Sequence, residues 1–281
     1  MMNKIKIVTD STVDLPDEIL KKYGIEVVPL TFTIDGTMYT DRVDLSPGEF
    51  MEKMRASSEL PKSSQPAVGQ FLEVYNRLGQ EGYDIISIHM ASQLSGTIHS
   101  AEQAAAMANA NVTVIDSQFI SLALGFQVLE AAKQAAEGES VAEIVQRLEE
   151  VRQNTRLYVT VDTLENLVKG GRIGRGKALI GSLLNIKPIA ALVDGIYTPV
   201  AKARSYSQIV KYLTERLMED AAGKTIRAIG IAHADAYSLA ERLRQSIIEA
   251  TGYEQTDIVY TTPIVSIHTG PGAIGFMYLI E

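Results

Sequence analysis

The sequence predicts an α/β protein of two layered halves, and three observations carry that expectation. Short β-branched runs alternate with amphipathic segments along the whole chain, the pattern of strand–helix units feeding a largely parallel sheet. Serine, proline and glycine fall where helices should start and stop. The 281 residues exceed a usual domain of about 100 to 150, and the layers meet near Gln153-Asn154-Thr155 without a low-complexity linker. Residues 1–154 are therefore expected to form a Rossmann-like N-terminal α/β domain with a mostly parallel sheet, and residues 155–281 a second α/β domain. A ligand in the cleft between them is geometrically natural.

Residues 5–9 form a first strand that ends at Asp10-Ser11-Thr12. Asp14-Leu15-Pro16 opens a helix with proline early in its first turn, and Gly24 closes it, because glycine takes the left-handed C-terminal conformation without a Cβ penalty. Residues 27–34 read as one strand. Ser46-Pro47-Gly48-Glu49 joins a proline at the first helical position to a Ser-x-x-Glu capping box, predicting a helix to residue 55. Leu60-Pro61-Lys62-Ser63-Ser64-Gln65-Pro66 reads as a polar loop. A helix follows at 67–78, a strand at 84–89, an alanine-rich helix from Ser95-Gly96-Thr97 to 108, a strand at 112–115, and a long helix at 120–136. Ser140-x-x-Glu143 caps another helix, to 153.

The second half opens with a strand at 157–161, after which Asp162-x-x-Glu165 is expected to cap a short helix ending at Gly170-Gly171. A brief apolar helix is expected at 178–184. Strands at 187–193 and 197–201 form a hairpin around Asp194-Gly195, since an Asp-Gly pair accepts the two positive φ angles of a tight turn. Helices at 207–221 and 237–251 and strands at 226–232, 258–261 and 275–280 complete the pattern.

Composition closes several doors. The chain has no Cys, which excludes disulfides, thiolate metal sites and a Cys nucleophile. Its 26 Lys and Arg against 34 Asp and Glu leave a formal charge of −8, contrary to the positive field that recruits nucleic acid. An anionic ligand must therefore be held by local donors. No stretch approaches the roughly 20 apolar residues of a membrane span, and the first ten residues hold no secretory apolar region, so the expected location is cytoplasmic.

Two phosphate-binding signatures occur, and both fail on context. Gly171-Arg172-Ile173-Gly174-Arg175-Gly176-Lys177 satisfies G-x-x-x-x-G-K, but Ala178 stands where a magnesium-ligating hydroxyl belongs and the preceding segment reads as helix rather than strand. Gly270-Pro271-Gly272-Ala273-Ile274-Gly275 matches G-x-G-x-x-G, but six residues remain after it, too few for a dinucleotide-binding unit.

Polar residues gather instead at strand ends and helix starts: Asp10-Ser11-Thr12, Ser63-Ser64, Ser92, Ser95-Gly96-Thr97, Asp116-Ser117 and His268. In an open α/β sheet these are crevice positions, where helix N-termini and hydroxyls offer donors suited to a carboxylate or phosphate. N-capping explains any one of them alone; their number makes the case. His89, His233 and His268 read as ending apolar strands and His99 as lying on a helix, and no H-x-x-x-H spacing supports a metal. His268 stands apart because His-Thr-Gly-Pro-Gly puts it beside a glycine turn that admits close backbone approach. Ser95 with His268 leaves open a Ser/His acyl hydrolase or transferase, though no G-x-S-x-G elbow occurs. A sensor of short polar anions would use the same crevice. Lys169, Arg172, Arg175 and Lys177, with Lys202 and Arg204, form a basic island in an acidic chain, either a solvated loop or a patch for an acidic partner or phosphorylated ligand.

Taken together, these residues resemble the DegV family of fatty-acid-binding proteins, which includes the fatty-acid-binding subunits of bacterial fatty acid kinase. The matching pieces, in the family's order, are Thr9-Asp10-Ser11-Thr12-Val13-Asp14-Leu15-Pro16, the Leu60 to Pro66 heptapeptide quoted above, Leu94-Ser95-Gly96-Thr97, Val114-Ile115-Asp116-Ser117, Leu164 to Ile173 with its Lys-Gly-Gly-Arg-Ile, Lys187-Pro188-Ile189 and His268-Thr269-Gly270-Pro271-Gly272. The resemblance implies an apolar tunnel at the domain junction that holds a long-chain fatty acid such as palmitate or a C18 acid, with no cofactor and no catalysis by this chain. It implies that Ser63, Ser95 and His268 fix the carboxylate, that Ser64, Gly96, Thr97 and Ser117 support them, and that Arg172 and Arg204 face a separate kinase subunit. That partner would phosphorylate the carboxylate for phospholipid synthesis, with no more than transient membrane contact by this chain. The sequence departs from the family at Lys62-Ser63, where Thr-Thr is usual; Ser63 keeps the hydroxyl, and Lys62 changes the charge at the portal.

Overall fold

The computed structural model describes residues 4–179 and 186–281. In chain order the elements are β1 (Lys4–Asp10), α1 (Asp17–Tyr23), β2 (Glu26–Val28), β3 (Thr31–Ile34), β4 (Thr37–Thr40), α2 (Pro47–Ala56), β5 (Lys62–Ser64), α3 (Val68–Gln80), β6 (Tyr83–His89), α4 (Thr97–Met107), β7 (Val112–Asp116), α5 (Ser121–Glu137) and α6 (Val141–Asn154). They continue as β8 (Thr155–Thr160), α7 (Glu165–Lys169), β9 (Lys187–Val193), β10 (Ile196–Ala203), α8 (Tyr206–Asp220), β11 (Ile226–Ala234), α9 (Tyr237–Thr251), β12 (Thr256–Tyr260), α10 (Pro263–Thr269) and β13 (Ala273–Ile280).

The first sheet is wholly parallel, in the order β2-β1-β6-β7. The second has the order β10-β9-β8-β13-β11-β12 and is antiparallel except where β11 meets β12. A small antiparallel sheet, β4-β3-β5, carries the segment before α3. The mixed α/β fold expected from the sequence is present.

Several local expectations are corrected. The strand read over 27–34 is two strands in two sheets, β2 and β3, because Pro29 interrupts the run and lacks the N–H that a continuous ladder needs. The polar loop at 60–66 contains β5, which borrows its register from β3 through the pairs Phe32–Ser63 and Thr33–Lys62. Asp162 does not cap α7. It bonds Lys187 and the Tyr206 hydroxyl, while Thr163 Oγ1 accepts from the Glu165 N–H at 3.2 Å. Of the helix expected at 178–184, residues 180–184 lie outside the described residues, and residues before them form a 3-10 turn, Gly174–Leu179. Both predicted capping boxes, at Ser46 and Ser140, are made, and Asp194 and Gly195 take φ of 51° and 75° in the β9–β10 turn.

Helix α5 sets the position of the two large sheets. Its sequence Ser-Leu-Ala-Leu-Gly-Phe is apolar on nearly every side, and Leu122, Ala123, Leu124, Val128 and Ala131 are all buried. It packs on β1 and β6 of the parallel sheet and on β11 and β13 of the other. Gly230 of β11 makes this fit possible, since a Cβ there would meet the Leu122 side chain at 2.5–3.4 Å. One core cluster therefore runs from Ile7 and Ile86 through Leu122 to Leu157, Ala232 and Met277. Two further cores lie under α3–α4 and under α8–α9. Each fully buried Leu, Ile or Phe there contributes about 1.5–3 kcal/mol of transfer free energy.

Candidate functional site

A cavity of about 370 Å³ lies between the sheets, drawing walls from residues 30–121 and from 157–275. That size is within the roughly 300–1,000 Å³ typical of small-molecule sites. Leu30, Met90, Leu157, Val159, Leu192 and Ile264 make much of it apolar, while Ser63, Ser64, Ser95, Arg172 and His268 also line it.

His268 is delivered by α10, an element missed in the sequence, where the residue was read as ending a strand. Thr262-Pro263 starts the helix and Gly270, at φ 73°, ends it. The helix turns Ile264 and His268, four residues apart, onto one face, and both reach the cavity. Asn166 Nδ2 of α7 donates to the Ile267 carbonyl at 2.9 Å and fixes that last turn.

Ser63 sits on β5 opposite Phe32, and its Oγ lies 2.9 Å from His268 Nε2. The other ring nitrogen, His268 Nδ1, is buried without a partner among the described residues. Burial, with the nearby Arg172 charge adding to it, pushes the His268 pKa down to about 4. The imidazole is therefore neutral at pH 7.

Ser95 lies half-buried in the turn before α4. Its Oγ is 2.9 Å from Thr97 Oγ1 and accepts from the Thr97 N–H at 3.2 Å. Gly96 is pressed by the Gln65 side chain, whose Nε2 donates to Ser100 Oγ at 2.8 Å. The 60–66 and 94–97 motifs thus meet where the Gln65 side chain lies over Gly96, and a Cβ there would displace it. Arg172 braces both sides of the site, donating from Nε to the Leu94 carbonyl at 3.0 Å and from Nη1 to the Gly170 carbonyl at 2.6 Å. Gly170 in turn lies against His268 Nδ1, where a Cβ would collide.

Other expected positions fall outside the cavity wall. Gly96 and Thr97 stand behind Ser95. Ser117 is fully buried and closes its own turn, exchanging bonds with the Phe119 backbone at 3.1 and 3.2 Å. Arg204 is exposed, with its backbone N–H on Gln208 Oε1.

The alternative pair for acyl hydrolysis, Ser95 with His268, is not hydrogen-bonded: the imidazole meets Ser63, Ser95 is engaged with Thr97, and among the described residues no carboxylate orients Nδ1. A Ser/His nucleophile needs that third group. No cluster of three metal-ligating side chains occurs among the described residues, and none of the described helices is long and apolar enough to cross a membrane.

Sequence reasoning missed Ser121, Thr261 and His233 as lining residues. Ser121 and Thr261 donate to buried Asp14 at 2.5 and 2.7 Å, and the Thr262 N–H donates to the same carboxyl at 3.1 Å. A second buried acid, Asp41, accepts from the Ile264 N–H at 3.4 Å. Burial raises both carboxyl groups, Asp41 to about 7, only partly offset by the hydroxyl bonds and Arg42. These acids tie the first turn of α10 to the first half of the chain.

Comparison with known proteins agrees with this architecture. The sequence profile of the family described as uncharacterised protein, DegV family, matches residues 4–281. A DegV domain-containing protein of Listeria monocytogenes is 43% identical over 281 residues, 100% of each chain. A DegV family protein of Thermus thermophilus, whose structure is described as fatty-acid binding, superposes with a TM-score of 0.94 at 33% identity over 99% of this chain and 100% of its own. The structure of DegV from Bacillus subtilis, a fatty acid binding protein, gives 0.90 at 33% identity over 100% of both chains. With the family profile matching residues 4–281 and a relative 43% identical over its whole length, the chain belongs to the DegV family.

Proposed function

We propose that the protein binds a long-chain fatty acid in this cavity, with the carboxylate at the Ser63–His268 end, and presents it in the cytoplasm to a separate ATP-dependent kinase that forms the acyl phosphate for phospholipid synthesis. The observation that carries the reading is a neutral imidazole bonded to a serine hydroxyl in the wall of a largely apolar cavity. A carboxylate only accepts hydrogen bonds. If His268 Nε2–H donates to Ser63 Oγ, the Ser63 hydroxyl is free to donate to the ligand, and Nδ1 is left as a bare acceptor, the less costly kind of orphan. Ser95 supplies a second hydroxyl, supported by Thr97. The fatty-acid-binding relatives at 33% identity support the ligand class.

Burying an acyl chain of about sixteen carbons gains about 0.8 kcal/mol per CH₂ before the costs of association, so affinity comes from the chain and orientation from the hydroxyls. Ser64 and Gln65 are exposed where they line the cavity, which supports a carboxylate end open to a partner. Arg204 and the remaining donors of Arg172 are the proposed partner-facing cations. We also propose residues 1–154 and 155–281 as the two units, with the ligand between them.

Denaturing mass spectrometry of the purified chain tests the reading. Stoichiometric long-chain fatty acid is the expected result, with transfer of phosphate to it when a fatty acid kinase and ATP are added. A chain that is lipid-free and takes up no added fatty acid would refute it.

A further inference from the structure

Tyr197 stands in the cavity wall with its hydroxyl unpaired. It lies on β10 directly opposite Leu192 of β9, and both residues line the cavity. Residues paired across two strands share a sheet face, and the Tyr197 ring accordingly packs in the core of Leu157, Ala232 and Met277 rather than in the one under α8–α9. The residue is 3% exposed, and its Oη has no hydrogen-bond partner among the described residues. Burial pushes the phenol above its ordinary pKa of 10, so it is a neutral O–H group.

Two contacts put Tyr197 at the end of the cavity that holds Ser95 and Arg172. Gly195, in the turn before it, lies on Ala91 and Gln93, where an added Cβ would stand 3.0 and 3.5 Å from their Cβ atoms, and that segment runs directly into Leu94-Ser95. Arg172 holds the Leu94 carbonyl at 3.0 Å, and the chain beyond it lays Gly174 and Gly176 on Tyr197. A Cβ on Gly174 would meet the Tyr197 carbonyl at 2.7 Å, and one on Gly176 would meet the ring edge at 3.0–3.2 Å. The hairpin thus sets the phenol against the same two segments, 91–95 and 172–176, that Arg172 joins.

An unpaired hydroxyl in an apolar wall costs free energy until a ligand atom meets it. A carboxylate has about four acceptor sites and no donor, while Ser63 and Ser95 bring one hydroxyl hydrogen each and His268 Nε2 is engaged by Ser63. We infer that Tyr197 is the third hydroxyl donor of the carboxylate site, its Oη–H bonding the ligand alongside Ser63 and Ser95. This rests on the proposed fatty-acid reading. The lipid-free chain then carries an unpaired phenol that fatty acid satisfies on binding, so ligand affinity and the stability of the empty chain are set against each other at this one atom.

Stearate labelled with ¹³C at its carboxyl tests the inference on the lipid-stripped full chain, with Tyr197→Phe removing only the oxygen. By isothermal titration the variant is expected to bind stearate about tenfold more weakly. By NMR the pKa of its bound carboxyl should shift upward, because a carboxylate that loses a donor is easier to protonate. The stripped variant should melt no lower than the parent, since no hydrogen bond of the empty chain is lost. Stearate bound as tightly as by the parent, or a weaker complex whose carboxyl pKa is unshifted, overturns the inference and leaves the fatty-acid reading standing. So does a stripped variant that melts below the parent or fails to fold, which would mean that the hydroxyl serves the fold. Failure of the unaltered chain to bind stearate overturns both.

Discussion

Ser63 Oγ and His268 Nε2 meet at 2.9 Å across 205 positions of sequence, and neither side chain has another hydrogen-bond partner among the described residues. The pair is thus free to serve a ligand. Ser63→Ala and His268→Ala should each weaken binding of a long-chain fatty acid about tenfold, a buried hydrogen bond's worth. Because His268 acts on the carboxylate through Ser63, the double variant should lose no more than the larger single loss. Isothermal titration of the stripped protein measures all three; additive losses would mean that the two side chains work separately.

Asp41 makes stability depend on pH with a definite sign. Its folded carboxyl holds a proton up to about 7, against 3.8 ordinarily, because burial outweighs its bonds and Arg42. Between those values the folded state binds more protons than the unfolded one, so this group's contribution falls as pH rises toward 7 and is level above it. Asp41→Asn should flatten that component and leave the variant more stable than the parent at about pH 8, with the difference shrinking toward about pH 5. Urea denaturation at both pH values checks it, and a parallel pair of profiles would assign the proton elsewhere.

Gly170→Ala is a steric probe of the imidazole. The backbone there is helical, at φ −76°, so alanine is tolerated locally, but its methyl would press on His268 Nδ1 and stand 3.0 Å from the Asn166 carbonyl. Fatty-acid affinity should drop about tenfold as the ring shifts off Ser63, with a stability loss of about 1–3 kcal/mol from the crowding. Unchanged affinity would show that the His268 position is not needed.

Phe71→Ala acts in the opposite way. Phe71 is fully buried in the core under α3, 5.0 Å from the His89 ring and remote from the cavity wall. Removing it should cost about 3–5 kcal/mol of stability and leave affinity unchanged in the folded fraction. Combined denaturation and titration separate the two effects.

Much of the fold was legible because local signals coincided with the final packing. Ser46 and Ser140 sit in capping boxes that need only their own helix, and the Asp194-Gly195 turn needs only its own hairpin. Elements made by partners were not legible. β5 has three polar residues and is a strand only because β3 pairs with it, and α10 is seven residues whose first turn is held by Asp14 and Asp41 from the other half. The same distinction divides the site. Ser63, Ser95 and His268 stood out as hydroxyls and an imidazole in segments rich in glycine or proline, whereas Ser121, Thr261 and His233 read as ordinary parts of a helix start and two strand ends. Only the third dimension brings Thr261 and Ser121 onto one carboxyl oxygen.

The place of β13 at the middle of the second sheet governs timing. It is inserted between β8 and β11, each of which leaves the ribosome before it. Leu157 and Val159 on one side and Ala232 and Ala234 on the other cannot face a common space until Ala273 to Gly275 arrives to join them. Such non-local strand pairing is a slow step of folding. A nascent chain in this state has no closed cavity, so on the proposed reading the site for an acyl chain forms only once the last strand has paired.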